Sequence, residues 1–364
     1  MFVDKPLPSE RPTGIGVAAF NVALALSKRR IAVYFVCRGA VDENIVLNDD
    51  LTVRTIRNYS RDNVRVALDS LRTEDSDVVH VHSTAALPSL LLGRALGRAV
   101  VTHSHGDEPL HPIRLTLMRK VEMNLSHRVV AVSKINRDEL IRNQRLSPKK
   151  VEIAYNGVNI DDFRPSNDLS RILPKYGLED ADKIVLSIGA VQERKGQWTI
   201  VQCLPKILKR WPNLTYVNVG RAYDSSYLDK LLKEAERLGV SKRVRLLTAV
   251  PHDDLVALIN SAQVCVHPST REAFGLAVVE EMACGRPVVA FEIGAMSEII
   301  DSGVDGLLVQ PNNQDELTAS ILDLLGDPQL SKKLGDAARA KVVAKFTWAQ
   351  TASRLESVYS EILR

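Results

Sequence analysis

Cysteine is scarce in this chain, and what there is does not cluster. Four cysteines occur in 364 residues, at positions 37, 203, 265 and 284, each in an apolar setting and with no C-x-x-C spacing. That pattern excludes a disulfide framework and a thiolate zinc site, and it reads as buried thiols in a reducing cytoplasm. No run of about 18 apolar residues occurs, and no charged-then-apolar leader opens the chain, so neither a membrane span nor export by that route is expected. Low-complexity tracts, fixed-period repeats and nucleic-acid-binding modules are also missing. The net charge of +4 is small, and its excess falls within residues 1–180, a weak pull toward an anionic partner other than nucleic acid.

What is present is alternation. A chain of 364 residues is too long for one ordinary core and suits two domains. Apolar runs such as Ile31 to Val36, Val78 to Val81, Ala99 to Thr102 and Val129 to Val132 read as strands buried on both faces. Val17 to Leu26 and Ile113 to Leu125 carry helical spacing between them. A polar segment with Pro165, Ser166, Asn167, Asp168, Pro174 and Gly177 follows Asn156-Gly157-Val158-Asn159 and is the expected linker. A second alternating series starts at Ile184 to Gly189 and runs through Tyr216 to Gly220, Val244 to Leu247, Val264 to Val266, Pro287 to Phe291 and Leu307 to Val309. Two Rossmann-like domains with a cleft between them are the architecture this predicts.

The stretch richest in chemistry is Arg271-Glu272-Ala273-Phe274-Gly275-Leu276-Ala277-Val278-Val279-Glu280. Glu272 sits in a polar loop, whereas Leu276 to Cys284 is predicted to be a short helix, with Glu280 inside it. Eight helical residues rise about 12 Å, so the two carboxylates can grip hydroxyls at opposite ends of an extended ligand. Between them, the backbone N–H groups near Phe274, Gly275 and Leu276 form a helix N-terminus that attracts phosphate. Sugar hydroxyl, diphosphate, ribose hydroxyl is the order implied. Lys195, with Arg194 beside it, ends a loop after the strand Val185-Leu186-Ser187-Ile188-Gly189 and can neutralise a leaving diphosphate. Thr13-Gly14-Ile15-Gly16 opens the first helix, and its glycines permit close approach of backbone to a phosphate or sugar.

These residues resemble those of retaining glycosyltransferases of the GT-B fold, family 4. The E-x7-E stretch is similar to that family's own, and so, in order, are Asp77-Val78-Val79-His80-Val81-His82, Val100 to Gly106, Ala131-Val132-Ser133, Val151 to Val158, Ile188 to Gly196, Gly294 to Ile300 and Gly303 to Val309. The resemblance covers nearly the whole chain. It implies an acceptor-side domain over 1–165, a nucleotide-sugar-binding domain over 166–345, and a helix over 346–364 that crosses back to the first domain, with a hinge near 160–180. It makes His105 the active-site histidine that contacts the donor sugar. With Lys195 and Glu272 it completes the expected catalytic set, while Gly14, Gly16, Arg194, Phe274, Gly275, Leu276 and Glu280 join Lys195 and Glu272 around the donor. Arg194 stands in for the arginine that the family places where this chain has Ala190. The first strand, Phe2-Val3-Asp4, is shorter than in relatives, and an upstream start is expected.

The implied activity is metal-independent transfer of a sugar, with retention, from a UDP- or GDP-sugar to a glycan, lipid-linked or small-molecule acceptor. No cofactor is implied, since the nucleotide-sugar is a substrate. The two D-x-D sequences, Asp180-Ala181-Asp182 and Asp75-Ser76-Asp77, read as solvated surface. The alternatives are a non-catalytic nucleotide-sugar-binding protein and a sugar-nucleotide epimerase or hydrolase of the same fold. His80 and His82 read as satisfied core or loop-edge histidines, and His267 as structural. Helix 113–125, with Arg114, Arg119 and Lys120 among Ile113, Leu115, Leu117, Met118, Val121 and Leu125, is basic and amphipathic. It is the candidate for peripheral contact with an anionic membrane at the cytoplasmic face.

Overall fold

The computed structural model describes residues 1–6, 13–57, 59–73, 75–82, 86–106, 113–167, 169 and 171–364. The chain divides into two units, one made of Met1–Gly157 with Trp348–Arg364 and the other of Val158–Thr347. Asp168 of the expected linker lies outside the described residues, as do the side chains of Ile113, Arg114 and Leu115.

Unit 1 is built on strands β1 (Phe2–Pro6), β2 (Val33–Arg38), β3 (Glu43–Asn48), β4 (Leu51–Ile56), β5 (Val78–Val81), β6 (Ala99–Ser104), β7 (Arg128–Ala131) and β8 (Val151–Ile153). They lie in the order β3-β4-β2-β1-β5-β6-β7-β8. Val36, Cys37, Val81, Val100, Val101, Val129 and Val130 are wholly buried, as β-branched residues are in a parallel sheet covered on both faces. Helices α1 (Gly14–Ser27), α2 (Tyr59–Thr73), α3 (Leu87–Ala95), α4 (Ile113–Leu125) and α5 (Lys134–Gln144) connect the strands. Strand β3 is the exception to the parallel pattern: it pairs antiparallel with β4, from Glu43 opposite Thr55 to Asn48 opposite Leu51. Five of its six residues are exposed, Val46 and Leu47 of its apolar run among them, so this run is not buried as those of the parallel strands are.

Unit 2 holds β9 (Lys183–Ile188), β10 (Leu214–Val219), β11 (Val244–Leu247), β12 (Val264–His267), β13 (Val288–Phe291) and β14 (Leu307–Val309). Their order is β11-β10-β9-β12-β13-β14, parallel throughout. Helices α6 (Ile172–Lys175), α7 (Gln197–Arg210), α8 (Ser225–Arg237), α9 (His252–Ser261), α10 (Leu276–Ala283), α11 (Met296–Ile299), α12 (Gln314–Gly326) and α13 (Pro328–Lys345) complete it. Its core joins Val185, Tyr216, Val264 and Val289 of the sheet to Ile200, Leu204 and Ile207 of α7 and to Leu317 and Ile321 of α12. Local chemistry marks the helix starts: Asp224 accepts from the Ser226 and Tyr227 amides, and Asp327 accepts from Gln329 and Leu330 with Pro328 in the first turn, as capping requires.

The last helix, α14 (Trp348–Ile362), belongs to unit 1. Arg29, just after α1, pairs with Glu356, Thr351 Oγ1 donates to the Tyr155 carbonyl at 2.7 Å, and Tyr359 OH reaches His80 Nδ1 at 2.5 Å. All four cysteines are buried and unbridged. Among the described residues no helix is long and apolar enough to cross a membrane.

One buried polar contact fixes α10 to the sheet of unit 2. His267, at the end of β12, meets Glu281 of α10 at 2.6 Å between Nε2 and Oε2, and the Glu281 side chain has no exposed surface. Glu281→Ala leaves a buried imidazole unpartnered and is expected to destabilise unit 2 by about 3–5 kcal/mol. Chemical denaturation measures it; a loss under about 1 kcal/mol would mean that apolar packing alone seats α10.

Candidate functional site

In unit 2 the site begins where the strand order reverses. Strands β9 and β12 are neighbours in the sheet, but their following connections leave toward opposite sides, which opens a crevice at their carboxyl ends. After β9 comes a single 3-10 turn, Glu193–Lys195, closed by Gly196 at φ +72°. A Cβ at Gly196 would stand 2.0 Å from the Pro268 carbonyl oxygen, so only glycine lets this turn lie against the loop after β12. The Thr270 amide completes the seam by donating to the Arg194 carbonyl at 2.9 Å.

That seam brings two of the predicted residues into contact. Lys195 Nζ donates to Glu272 Oε2 at 2.7 Å, with both side chains less than one-fifth exposed. The lysine stem lies across Gly189, its Cδ 3.4 Å from where a Cβ would stand. Behind the turn is a buried polar network that sequence reading missed. Gln197 donates to the Ala190 carbonyl at 2.9 Å and to Asn218 Oδ1 at 3.2 Å, and Ser187 links Tyr216 and Asn218. The signal was faint: one serine in an apolar strand and one asparagine in the next. Arg194 is exposed, its guanidinium facing the Gln192 side-chain amide.

Glu280 lies in α10, one turn after its start at Gly275, and no side chain caps that helix. Burial, with the Glu281 carboxyl next to it, pushes the Glu280 carboxyl up to about 8, so it is largely protonated at neutral pH. Phe274 is a core residue, edge-on to Phe346 with ring centroids 5.9 Å apart, and only its backbone is in reach of a ligand.

In unit 1, His105 follows β6 at the carboxyl edge of the sheet, and its Nε2 lies 3.0 Å from His82 Nδ1. Desolvation and the nearby Arg119 guanidinium hold His105 down at about 4, so the imidazole is neutral. Arg119 donates to the Gly106 carbonyl. Its guanidinium is thus directed to the His105 loop. Leu117 and Val121 of that helix are 59% and 48% exposed, so its apolar residues do not form one inward stripe. Thr13 caps α1 by accepting from the Gly16 amide at 3.1 Å. A Cβ on Gly14 would meet nothing within 4 Å, so the fold itself does not require that glycine.

Comparison with known proteins fits both units. Residues 170–341 match the family described as Glycosyl transferases group 1, and residues 12–162 match Glycosyltransferase Family 4. Over 302 residues the chain is 30% identical to the GDP-mannose-dependent alpha-(1-6)-phosphatidylinositol monomannoside mannosyltransferase of Mycolicibacterium smegmatis, covering 79% of this chain and 77% of that protein. It is 31% identical over 267 residues to the D-inositol 3-phosphate glycosyltransferase of Streptomyces bingchenggensis, covering 72% of this chain but only 58% of that relative. Among solved structures, Anabaena HepE in complex with UDP and glucose has a TM-score of 0.81 at 23% identity, over 99% of this chain and 98% of that one. Sucrose-phosphate synthase from Thermosynechococcus elongatus has a TM-score of 0.82 at 20% identity, over 99% and 95%. At such identities the likeness shows the fold.

The raised Glu280 carboxyl has a consequence for stability. Its pKa in the folded chain lies above the ordinary carboxyl value of 4.5, so the folded state binds more protons than the unfolded one between pH 4.5 and 8. The resulting penalty is absent below pH 4.5, grows as pH rises through that window, and is complete above 8. Glu280→Gln removes the charge and is expected to be increasingly more stable than the parent as pH rises from 5 to 8. Denaturation curves at a series of pH values test this; a pH-independent difference would mean that the carboxyl is not desolvated.

Proposed function

The chain belongs to the group 1 glycosyl transferases, of the GT-B fold, and from that footing we propose that it moves a sugar from a nucleoside diphosphate sugar to a hydroxyl acceptor. The observation that carries this is the convergence in unit 2 of Lys195, Glu272 and an uncapped helix N-terminus, with Glu280 one turn beyond. A single cation and the amides of a helix start match the charge of a diphosphate. One carboxylate on each side of it matches the hydroxyls of a sugar and a ribose.

Lys195 and Glu272 neutralise each other in their ion pair. A donor diphosphate competes for the lysine, which frees Glu272 to accept from sugar hydroxyls. As the glycosidic bond breaks, negative charge grows on the leaving diphosphate, and Lys195 stabilises it there more than in the ground state. This charge is met by the protein, so no metal is required at the diphosphate. Retention at the anomeric carbon rests on the family resemblance and takes the form of same-face attack, with the leaving phosphate assisting deprotonation of the acceptor. The neutral His105 imidazole is a hydrogen-bond partner for a sugar hydroxyl.

The donor base is UDP or GDP: HepE was solved with UDP, and the Mycolicibacterium relative is GDP-mannose-dependent. For the acceptor, the relatives' names point to inositol phosphate or to a phosphatidylinositol glycolipid. A lipid acceptor is favoured by the exposed Leu117 and Val121 on α4 with Lys120 between them. Such a face rests at a headgroup boundary and gathers anionic lipid.

A panel of UDP-, GDP- and ADP-sugars, assayed for nucleotide release with and without inositol phosphate or phosphatidylinositol-type acceptors, tests the reading. Acceptor-dependent release is expected for one donor; binding without release would indicate a sensor, and release equal in both arms a hydrolase. Lys195→Ala should lower kcat by about 10²–10³ while changing donor affinity less, whereas Glu280→Ala should weaken donor binding by about 1.5–3 kcal/mol through loss of hydrogen bonds to a charged group. Accepting from two ribose hydroxyls favours the ionised form of Glu280, so donor binding near pH 7 is expected to release a proton. Calorimetry in buffers of different ionisation enthalpy reads that proton directly, and a heat independent of the buffer would mean that Glu280 does not ionise on binding.

A further inference from the structure

Four histidines occupy one face of two adjacent parallel strands in unit 1. His80 and His82, two apart, project from the same side of β5 and its end, and His103 and His105 do so from β6, which pairs with it from Val78 opposite Ala99 to Val81 opposite Thr102. Their rings are stacked, with centroids 4.4 Å apart for His80 and His82, 4.9 Å for His82 and His103, and 4.7 Å for His103 and His105. His80, His82 and His103 are at most 3% exposed. His80 and His82 are not the satisfied histidines that their strand positions suggest. His80 Nδ1 has Tyr359 OH and His82 Nδ1 has His105, but Nε2 of both and both ring nitrogens of His103 are buried without a hydrogen-bond partner. Buried lone pairs with nothing to bind them are unfavourable, and here they gather: one ring nitrogen from each of the three lies within 4.8 Å of the others.

We propose that His80, His82 and His103 bind a single divalent transition-metal ion, with Zn²⁺ the best fit, through Nε2 of His80 and His82 and a ring nitrogen of His103. A histidine pair two apart on one strand and a third on its neighbour give three neutral nitrogen ligands and leave a fourth position for water. Imidazole-only ligation suits zinc, copper, nickel and cobalt and not magnesium or calcium. Burial, and the neighbouring imidazoles, keep all three rings well below their ordinary protonation range, which is the state that ligates.

The outer contacts are those of a metal site. His80 Nδ1 contacts Tyr359 OH at 2.5 Å and His82 Nδ1 contacts His105 Nε2 at 3.0 Å, and an ion on each Nε2 selects the tautomers in which Nδ1–H is the donor in both contacts. Tetrahedral zinc needs its nitrogens about 3.4 Å apart, from Zn–N distances of about 2.0–2.1 Å. The stacked rings must therefore splay by turning about χ2, a broad and soft torsion for histidine. An ion on His82 Nε2 also polarises the proton that His82 gives to His105, and it ties β5, β6 and α14 together through Tyr359. The site adjoins His105 through His82, but it does not rest on the sugar-transfer reading, which uses no metal.

The test uses the full chain, stripped with chelator, dialysed, and titrated with Co²⁺ and Zn²⁺, with Mg²⁺ as the negative control. One Co²⁺ per chain with the visible absorption of a four-coordinate site is expected, together with a rise in Tm on adding Zn²⁺ and none with Mg²⁺. His103→Gln should abolish both signals, and Tyr359→Phe, which keeps all three ligands, should weaken the metal about 10- to 100-fold. His252→Ala, a change at the exposed histidine of α9, should leave them intact. A parent chain that takes up no Co²⁺, or one that loses binding with His252→Ala and not with Tyr359→Phe, would overturn the assignment. Should His103→Gln fail to fold, the Tyr359→Phe shift decides the matter.

Discussion

In unit 2 the loops that follow the two central strands meet because one residue has no side chain. The Gly196 turn lies so close to the Pro268 carbonyl that even a methyl group would collide with it. From that approach follow the Thr270 to Arg194 backbone bond and the Lys195 to Glu272 ion pair. The polar network of Gln197, Asn218 and Ser187 supports the same turn from below. A lysine at this distance from its carboxylate, each mostly shielded from water, is a charge pair poised to be exchanged for a stronger anion.

The carboxylates of the E-x7-E stretch are set apart by their environments. Glu272 sits in a loop with a cation against it. Glu280 sits in a helix with another acid as its neighbour, and its carboxyl is driven toward the neutral form. Two glutamates of one motif thus enter the ligand-free state with different charge. Holding a carboxyl in its neutral form costs stability above its ordinary pKa, and such costs collect where ligands bind.

Unit 1 is organised by a different constraint, the packing of four neutral imidazoles on one sheet face. His105 is the member nearest the carboxyl edge, and its neighbours determine its tautomer. Helix α14 reaches this stack through Tyr359, so the last segment of the chain acts on the same residues as the two central strands of the unit.

Much of this was legible in the sequence. Runs of Val, Ile and Ala wrote out the buried parallel strands, because a strand covered on both faces has no polar positions to alternate. The spacing of Glu272 and Glu280 placed one in a loop and the other in a helix, since α10 begins at the left-handed Gly275 between them. Edge strand β3 was missed: Ile45-Val46-Leu47 is a short apolar run between polar residues, nearly every position faces water, and its antiparallel pairing with β4 makes it a strand. Nor could sequence tell that Arg119 of α4 turns toward the Gly106 carbonyl while Leu117 faces solvent. The sequence by itself determined which residues are buried in strands, because burial pattern is a property of local chemistry, whereas the need for glycine at 196 and not at 14 came from tertiary approach. Tertiary structure alone decided which side chains meet: Lys195 with Glu272 across 77 positions, and His80 with Tyr359 across 279. Contact between residues so far apart depends on strand order, which no local periodicity encodes.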